Sequence, residues 1–226
     1  WTDADQQLEI PQTALQSYNQ LMWFEGLTAN TAVNINPGSD IMWNKDGDSD
    51  EWNTISCWVF VQDVTDSSTG CFVWSLDEKP RLWIIPKNKS VGDSDIELGY
   101  NTGNDDVVGV ELVASTFENK WNHIVLAWKS NAVGDDTDLF SGADTPDDHV
   151  KIWINGEAQS LGSDYIQGSN SNEAVGDDAA GATSDLVLGH FADDGSGDYN
   201  LIGSITEVSA WKKQLSLAEV QELYND

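Results

Sequence analysis

Apolar and polar positions alternate along most of this chain, in short runs broken by Gly, Asp, Asn and Ser. A two-residue period marks strands that bury one face. It is plainest at Trp121–Lys129, where Ile124, Leu126 and Trp128 share a face. At His149–Gly156, Val150, Ile152 and Ile154 share one face, while Lys151 and Trp153 lie on the other. Ile96, Leu98 and Tyr100 alternate within 95–100 in the same way. Further strands are predicted at 21–24, 31–35, 54–61, 71–76, 81–85, 108–113, 186–190 and 202–211. The second half of 54–61 is apolar on both faces, and Pro86 stops the run at 81–85. Asn155-Gly156 is the strongest short turn signal in the chain.

The period changes once, at the C-terminus. Ser216-Leu217-Ala218-Glu219 has the capping-box pattern. Leu217, Val220, Leu223 and Tyr224 then recur at helical spacing on one face. This predicts one short helix, packed on the edge or end of the strands. Pro11 interrupts residues 5–20, which read as an arm or a short helix. The polar stretches 130–148 and 162–185 carry no apolar periodicity and read as surface loops, where binding residues tend to sit. Ala-Val-Gly-Asp-Asp occurs at 132–136 and again at 174–178, but nothing around it repeats. Strand after strand with turn chemistry between them predicts an all-β sandwich, and barrel closure fits the same pattern. No linker divides the chain, so a single domain over 1–226 is expected, with 1–20 as an arm.

Charge narrows the function classes. The chain of 226 residues carries 39 acidic and 10 basic side chains, a formal charge of −29, and Arg81 is its sole arginine. Binding to phosphate backbones requires Lys and Arg, so nucleic acids and anionic membranes are excluded as partners. No run of about 18 apolar residues is present to span a bilayer. Strongly anionic glycans would be repelled unless a cation bridged them. The chain opens Trp1-Thr2-Asp3-Ala4-Asp5, without an initiator Met or a basic-then-apolar leader. Any signal peptide, propeptide or upstream domain is expected to have been removed or to lie outside this sequence.

Most of the acid is aspartate, clustered at 46–51, 134–138 and 193–198. Solvated turns explain such clusters, because Asp is a turn residue and surface charge keeps a protein dissolved. The sharper reading is a hard-cation site, since Ca²⁺ takes carboxylate and carbonyl oxygens from loops. Two candidate metal sites follow: Asp46, Asp48 and Asp50, and Asp193, Asp194 and Asp198. The first alternates as an EF-hand loop does. It is not one, because Glu51 stands at the sixth position and Cys57 at the twelfth.

The two cysteines, Cys57 and Cys71, lie on strands consecutive in sequence. A disulfide between them requires Cα atoms about 5.5 Å apart and would contribute roughly 3 kcal/mol. Two buried thiols are the alternative. Eleven tryptophans are many for this length. Trp58, Trp74, Trp121, Trp128 and Trp153 lie in predicted strands, and most of these belong in a core. A ring left facing solvent makes an apolar platform for a sugar. Trp43, beside the densest acidic segment, Trp83, and Trp153, opposite an apolar face, are the ligand-binding candidates.

Three segments in order resemble the laminin-G-like domains of the concanavalin A-like lectin/glucanase superfamily. Trp52–Val59 is similar to an early Thr-Ile-Ser-x-Trp-Val strand. Lys120–Val125 followed by Val150–Gly156 resembles Trp-x-His-Val and Val-x-Leu-Tyr-Val-Asn-Gly. Gly203–Trp211 followed by Leu215–Tyr224 resembles the closing Gly-x-Ile-Asp-Glu-Val strand and Leu-Ser-x-x-Glu-Ile…Leu-Tyr helix, with Thr206 where the family usually has Asp. The resemblance covers about 20–226. It implies a jelly-roll sandwich of two antiparallel sheets with a short C-terminal helix. It also implies ligands among glycans, proteins and lipids, often with Ca²⁺ at the loop end.

The superfamily also contains glycosidases and lyases, so the catalytic patterns matter. Sandwich glucanases carry Glu-x-Asp-x-(x)-Glu on one strand, one acid as nucleophile and one as acid/base. The nearest run here, Asp93-Ser94-Asp95-Ile96-Glu97, has its acids in another order and reads as the solvent face of a strand. A lyase site built on Arg, Gln, His and Tyr is hard to supply from one arginine. His123, His149 and His190 show no zinc spacing and read as structural. No Gly-x-Ser-x-Gly elbow or Walker loop occurs. The expectation is a non-catalytic glycan-binding or adhesion module, with Ca²⁺ as its cofactor, on a secreted, cell-surface or virion-surface protein. Its partner would be a glycan or surface polysaccharide. The alternative is an assembly protein of a virion, tail fibre or surface layer, with neighbouring subunits as partners. A glycoside hydrolase or polysaccharide lyase ranks below both.

Overall fold

Strand β3 (Trp52–Val61) sets the layering of the molecule. Ile55, Cys57, Val59 and Val61 point to one side and join the main core, while Ser56, Trp58 and Phe60 point to the other. Both faces are buried, which is why the sequence there is apolar at successive positions. The structure is a computed structural model that describes residues 22–25, 33–35, 52–62, 71–76, 81–86, 95–101, 107–129, 150–161, 186–189 and 200–226.

Two six-stranded antiparallel sheets form the sandwich. The first runs β1 (Met22–Glu25), β12 (Ile202–Trp211), β3, β8 (Trp121–Lys129), β9 (Val150–Ile154), β10 (Glu157–Ala158). The second runs β2 (Val33–Ile35), β11 (Leu186–Leu188), β4 (Cys71–Leu76), β5 (Arg81–Pro86), β6 (Asp95–Asn101), β7 (Val107–Val113). Neighbours distant in sequence, such as β3 with β12, give the jelly-roll character. Between the sheets, Ile124, Leu126, Ile152 and Ile205 meet Val73, Leu82, Ile84, Leu98 and Leu188. Trp74 of β4 and Trp128 of β8 join across the layers with centroids 5.8 Å apart. The alternation predicted for β8 and β9 is seen in full.

Cys57 and Cys71 are both buried and not bonded to one another. They are consecutive strands in sequence but lie in opposite sheets, so no shared ladder brings them to disulfide register. Of the two alternatives, buried thiols is the one found. Burial pushes each thiol up to about 12, and Glu118 adds to the effect at Cys71.

A four-residue helix, the strand β10 that follows the expected Asn155-Gly156 turn, and a bulge in β12 were outside the sequence expectations. The helix, α1 (Ala114–Phe117), follows β7, and Asn122 ties its end to β8 by donating to the Phe117 carbonyl at 2.7 Å. Strand β10 closes a two-residue hairpin with β9 through Asn155 and Gly156. Both turn residues have positive φ (52° and 78°), as this type of hairpin requires. Strand β12 slips register against β3 between Thr206 and Ser209, where Glu207 has φ 52°. Such a β-bulge re-aims the strand locally.

The C-terminal helix α2 (Leu217–Asn225) has the predicted capping box. The Glu219 N–H donates to Ser216 Oγ, and the Ser216 N–H donates to Glu219 Oε2 at 2.8 Å. Lys213 pairs with Glu219 as well. Nine residues make a marginal helix alone, so packing has to hold it. Val220 is fully buried and Leu223 and Tyr224 half-buried, but Leu217 is 46% exposed. The apolar face is therefore one turn shorter than its sequence pattern. No helix among the described residues is long and apolar enough to cross a membrane.

Candidate functional site

The outer face of the first sheet gathers a cluster of aromatic and polar side chains. Antiparallel register sets Trp58 opposite His123 and Phe60 opposite Trp121, and the same face carries Ser56, Val125, Ala127 and Trp153. Helix α2 lies across it. Val220, Leu215 and half-buried Leu223 pack on Val125, Ala127 and Trp153. One turn on, Tyr224 stacks on Trp58 (centroids 5.6 Å, 22°) and on His123 (6.1 Å, 27°). Trp58 and His123 lie 5.2 Å apart at 38°.

His123 is the imidazole of this stack, a side chain whose unperturbed value lies near neutrality. Its Nε2 lies 2.7 Å from Ser56 Oγ, and its Nδ1 is buried with no hydrogen-bond partner. Its backbone is fixed by Asn155: the His123 N–H donates to Asn155 Oδ1 at 2.9 Å, and the Asn155 N–H donates to the His123 carbonyl at 2.8 Å. Burial lowers the imidazole to about 4, so the ring is neutral at pH 7. A Ser–His pair at this distance begins a nucleophilic site. Here both residues are buried beneath Tyr224, and no carboxylate orients Nδ1, so the pair locks packing and reaches no substrate.

Three other buried polar atoms on this sheet have no hydrogen-bond partner: Trp121 Nε1, Ser204 Oγ and Glu207 Oε1. Burial raises the Glu207 carboxyl above its ordinary value.

Of the residues singled out from sequence, Trp153 is placed fully. It is 4% exposed under α2, so its ring is core for a second, outer cluster and offers no face to a sugar. The position does alternate with the main core, as expected, but the helix claims the far side. Trp83 lies in β5 of the second sheet, opposite Phe72 and Gly99, so the two rings belong to different sheets. Trp43, Asp46, Asp48, Asp50, Asp193, Asp194 and Asp198 lie outside the described residues, as do His149 and His190. Among the described residues, no group of three or more His, Cys, Asp or Glu side chains is placed to hold a metal.

Residues 46–50 lead into β3, and residues 193–198 lead towards β12. These strands are antiparallel neighbours, with Thr54 opposite Trp211 and Val61 opposite Gly203. Their starts lie at opposite ends of the sheet, about 30 Å apart at ~3.3 Å per residue.

What the sequence missed was the Trp58–His123–Tyr224 stack. Its signals were present as the doubly apolar stretch at Trp58–Val61 and the Tyr224 position on the helix face. Nothing in either names the other as its partner.

No family model matches the chain, and no curated protein matches it. Solved structures do match in fold. The binding domain of botulinum neurotoxin serotype D is similar at 15% identity and TM-score 0.52, over 91% of this chain and 41% of that one. The serotype D ligand-binding domain in complex with N-acetylneuraminic acid is similar at 14% and 0.50, over 91% and 41%. The native heptameric SAP-like pentraxin of Limulus polyphemus is similar at 13% and 0.52, over 90% and 81%. The chain spans about two fifths of the length of the toxin domains it matches. At such identities the likeness concerns fold alone, and it agrees with the jelly-roll sandwich of two antiparallel sheets.

Proposed function

We propose that this chain is a non-catalytic glycan-binding or adhesion module of the laminin-G type, forming one domain of a secreted or surface-exposed protein. The observation that carries the reading is the sandwich itself, matched over 91% of the chain by a toxin domain solved with N-acetylneuraminic acid. The sealed Ser56–His123 pair supports the absence of catalysis from the described sheets. Recognition then falls to the segments between strands, where Trp43 and the aspartate clusters lie, and to Trp83.

Charge decides the ligand class. At −29 the chain favours neutral sugars, and an acidic sugar would need a bridging cation. Ca²⁺ suits the carboxylate oxygens of Asp46, Asp48 and Asp50 or of Asp193, Asp194 and Asp198. A glycan array run with Ca²⁺ and again with EDTA tests the proposal. Selective binding supports it, and loss in EDTA assigns Ca²⁺ to the site. Silence in both conditions overturns it. A second reading, subunit assembly, is favoured by the heptameric state named for the similar pentraxin. A stable oligomer together with a silent array would select that reading.

A further inference from the structure

We propose that helix α2 is an acid-released latch: protonation of His123 beneath it detaches the helix and uncovers the aromatic outer face of the first sheet.

The geometry carries this in three steps. First, His123 closes a triangle of rings. Its ring lies 5.2 Å from Trp58 and 6.1 Å from Tyr224 of α2, and those two rings stack on each other at 5.6 Å, so the imidazole is one corner of the contact between helix and sheet. Second, the ring has no place for a second proton. Ser56 occupies Nε2, and buried Nδ1 faces no partner. An imidazolium must donate from both nitrogens, so charging it leaves a buried, unpaired cationic N–H. Third, the helix is the part able to yield. It is nine residues long, and its hold on the sheet rests on Val220, Leu223 and Tyr224. Once Tyr224 lifts, His123 meets water and takes its proton without that cost.

Neighbouring charges do not offset the effect. On α2, Glu222 and Asp226 are exposed and Glu219 is engaged by Lys213 and Ser216. On β9 and β10, Lys151 is half-buried two rows along the sheet and Glu157 is exposed. Strand β3 presents only Ser56 and Trp58 to the ring. Burial alone holds His123 at about 4. Glu207 on β12 is raised by burial, so falling pH favours its folded form, the opposite sign.

The test is amide hydrogen exchange of residues 217–225 in the whole chain from pH 7.5 to 4.5, as protection factors. An open state with an ordinary imidazole predicts a loss of protection on the order of 50-fold over that range. Protection in β8 should hold, and His123→Gln and His123→Phe should flatten the α2 profile. Unchanged α2 protection in the parent chain overturns the proposal. So does an equal fall in the variants, or β8 falling in step with α2. Should the His123 variants fail to fold, Tyr224→Ala serves instead. By removing the cover it should raise the His123 midpoint, read by NMR, towards 6.5, and an unmoved midpoint overturns the proposal.

Discussion

The ring of Tyr224 rests directly on Gly156: a Cβ added to that glycine would stand 3.1 Å from Tyr224 Cδ1. The helix and the β9–β10 hairpin are thus fitted to each other at a point where only hydrogen is comfortable. Gly156 also has φ +78°, which costs an L-residue roughly 1–2 kcal/mol. Gly156→Ala should therefore lower stability by about that amount in denaturant melts. It should also loosen α2, seen as faster exchange of its amides. A loss below a few tenths of a kcal/mol would show that the turn and Tyr224 relax freely.

Gly203→Ala should be worse. A Cβ there would lie 1.9 Å from the carbonyl oxygen of Phe60, backbone against backbone, in the ladder between β12 and β3. No flexible side chain can move aside. A loss of about 3 kcal/mol or more is expected, roughly 10 °C in Tm for a chain of this size. A Tm within a degree or two of the parent would mean that β12 does not approach β3 this closely.

How far these features were legible from sequence depends on what each one required. The strands were readable because alternation is local: Ile124, Leu126 and Trp128 declare a buried face by themselves. The capping box at Ser216 and Glu219 and the Asn155-Gly156 turn are equally local. Core and platform both stayed open for Trp153 because its burial depends on a helix some 60 residues later, and an amphipathic helix does not announce where it docks. The same limit hid the relation of Cys57 to Cys71, since adjacency in sequence gave no sign that their strands divide between two sheets. Helix α1 is too short for any period, and the bulge at Glu207 disturbs register without disturbing composition. The aspartate clusters and Trp43 remain candidates on sequence chemistry and lie outside the described residues.

The two thiols give a direct reading of the core. Burial pushes Cys57 and Cys71 up to about 12, so almost no thiolate exists at pH 8 in the folded chain. Neither should react with a thiol reagent until the sandwich opens. Labelling should be slow, should affect both cysteines together, and should follow global unfolding as denaturant is added. Fast labelling of one cysteine in native buffer would place a local opening at its strand.

The capping box offers a pH window separate from that of His123. Hydrogen bonds from Lys213 and Ser216 hold the Glu219 carboxyl at about 2, below its ordinary value of 4.5. A depressed carboxyl contributes stability that is present above the unfolded value and is lost as pH falls through the folded one. The first turn of α2 should therefore keep its cap to pH 4.5 and lose it between there and pH 2. Ser216→Ala should cost about 1 kcal/mol at pH 7, because it removes the acceptor for the Glu219 N–H. Glu219→Gln removes the titrating group, so the α2 amides of that variant should show no further change between pH 4.5 and 2. Exchange measured on the His123→Gln background isolates this step. A fall there that is equally steep with and without Glu219 would assign it to another carboxylate.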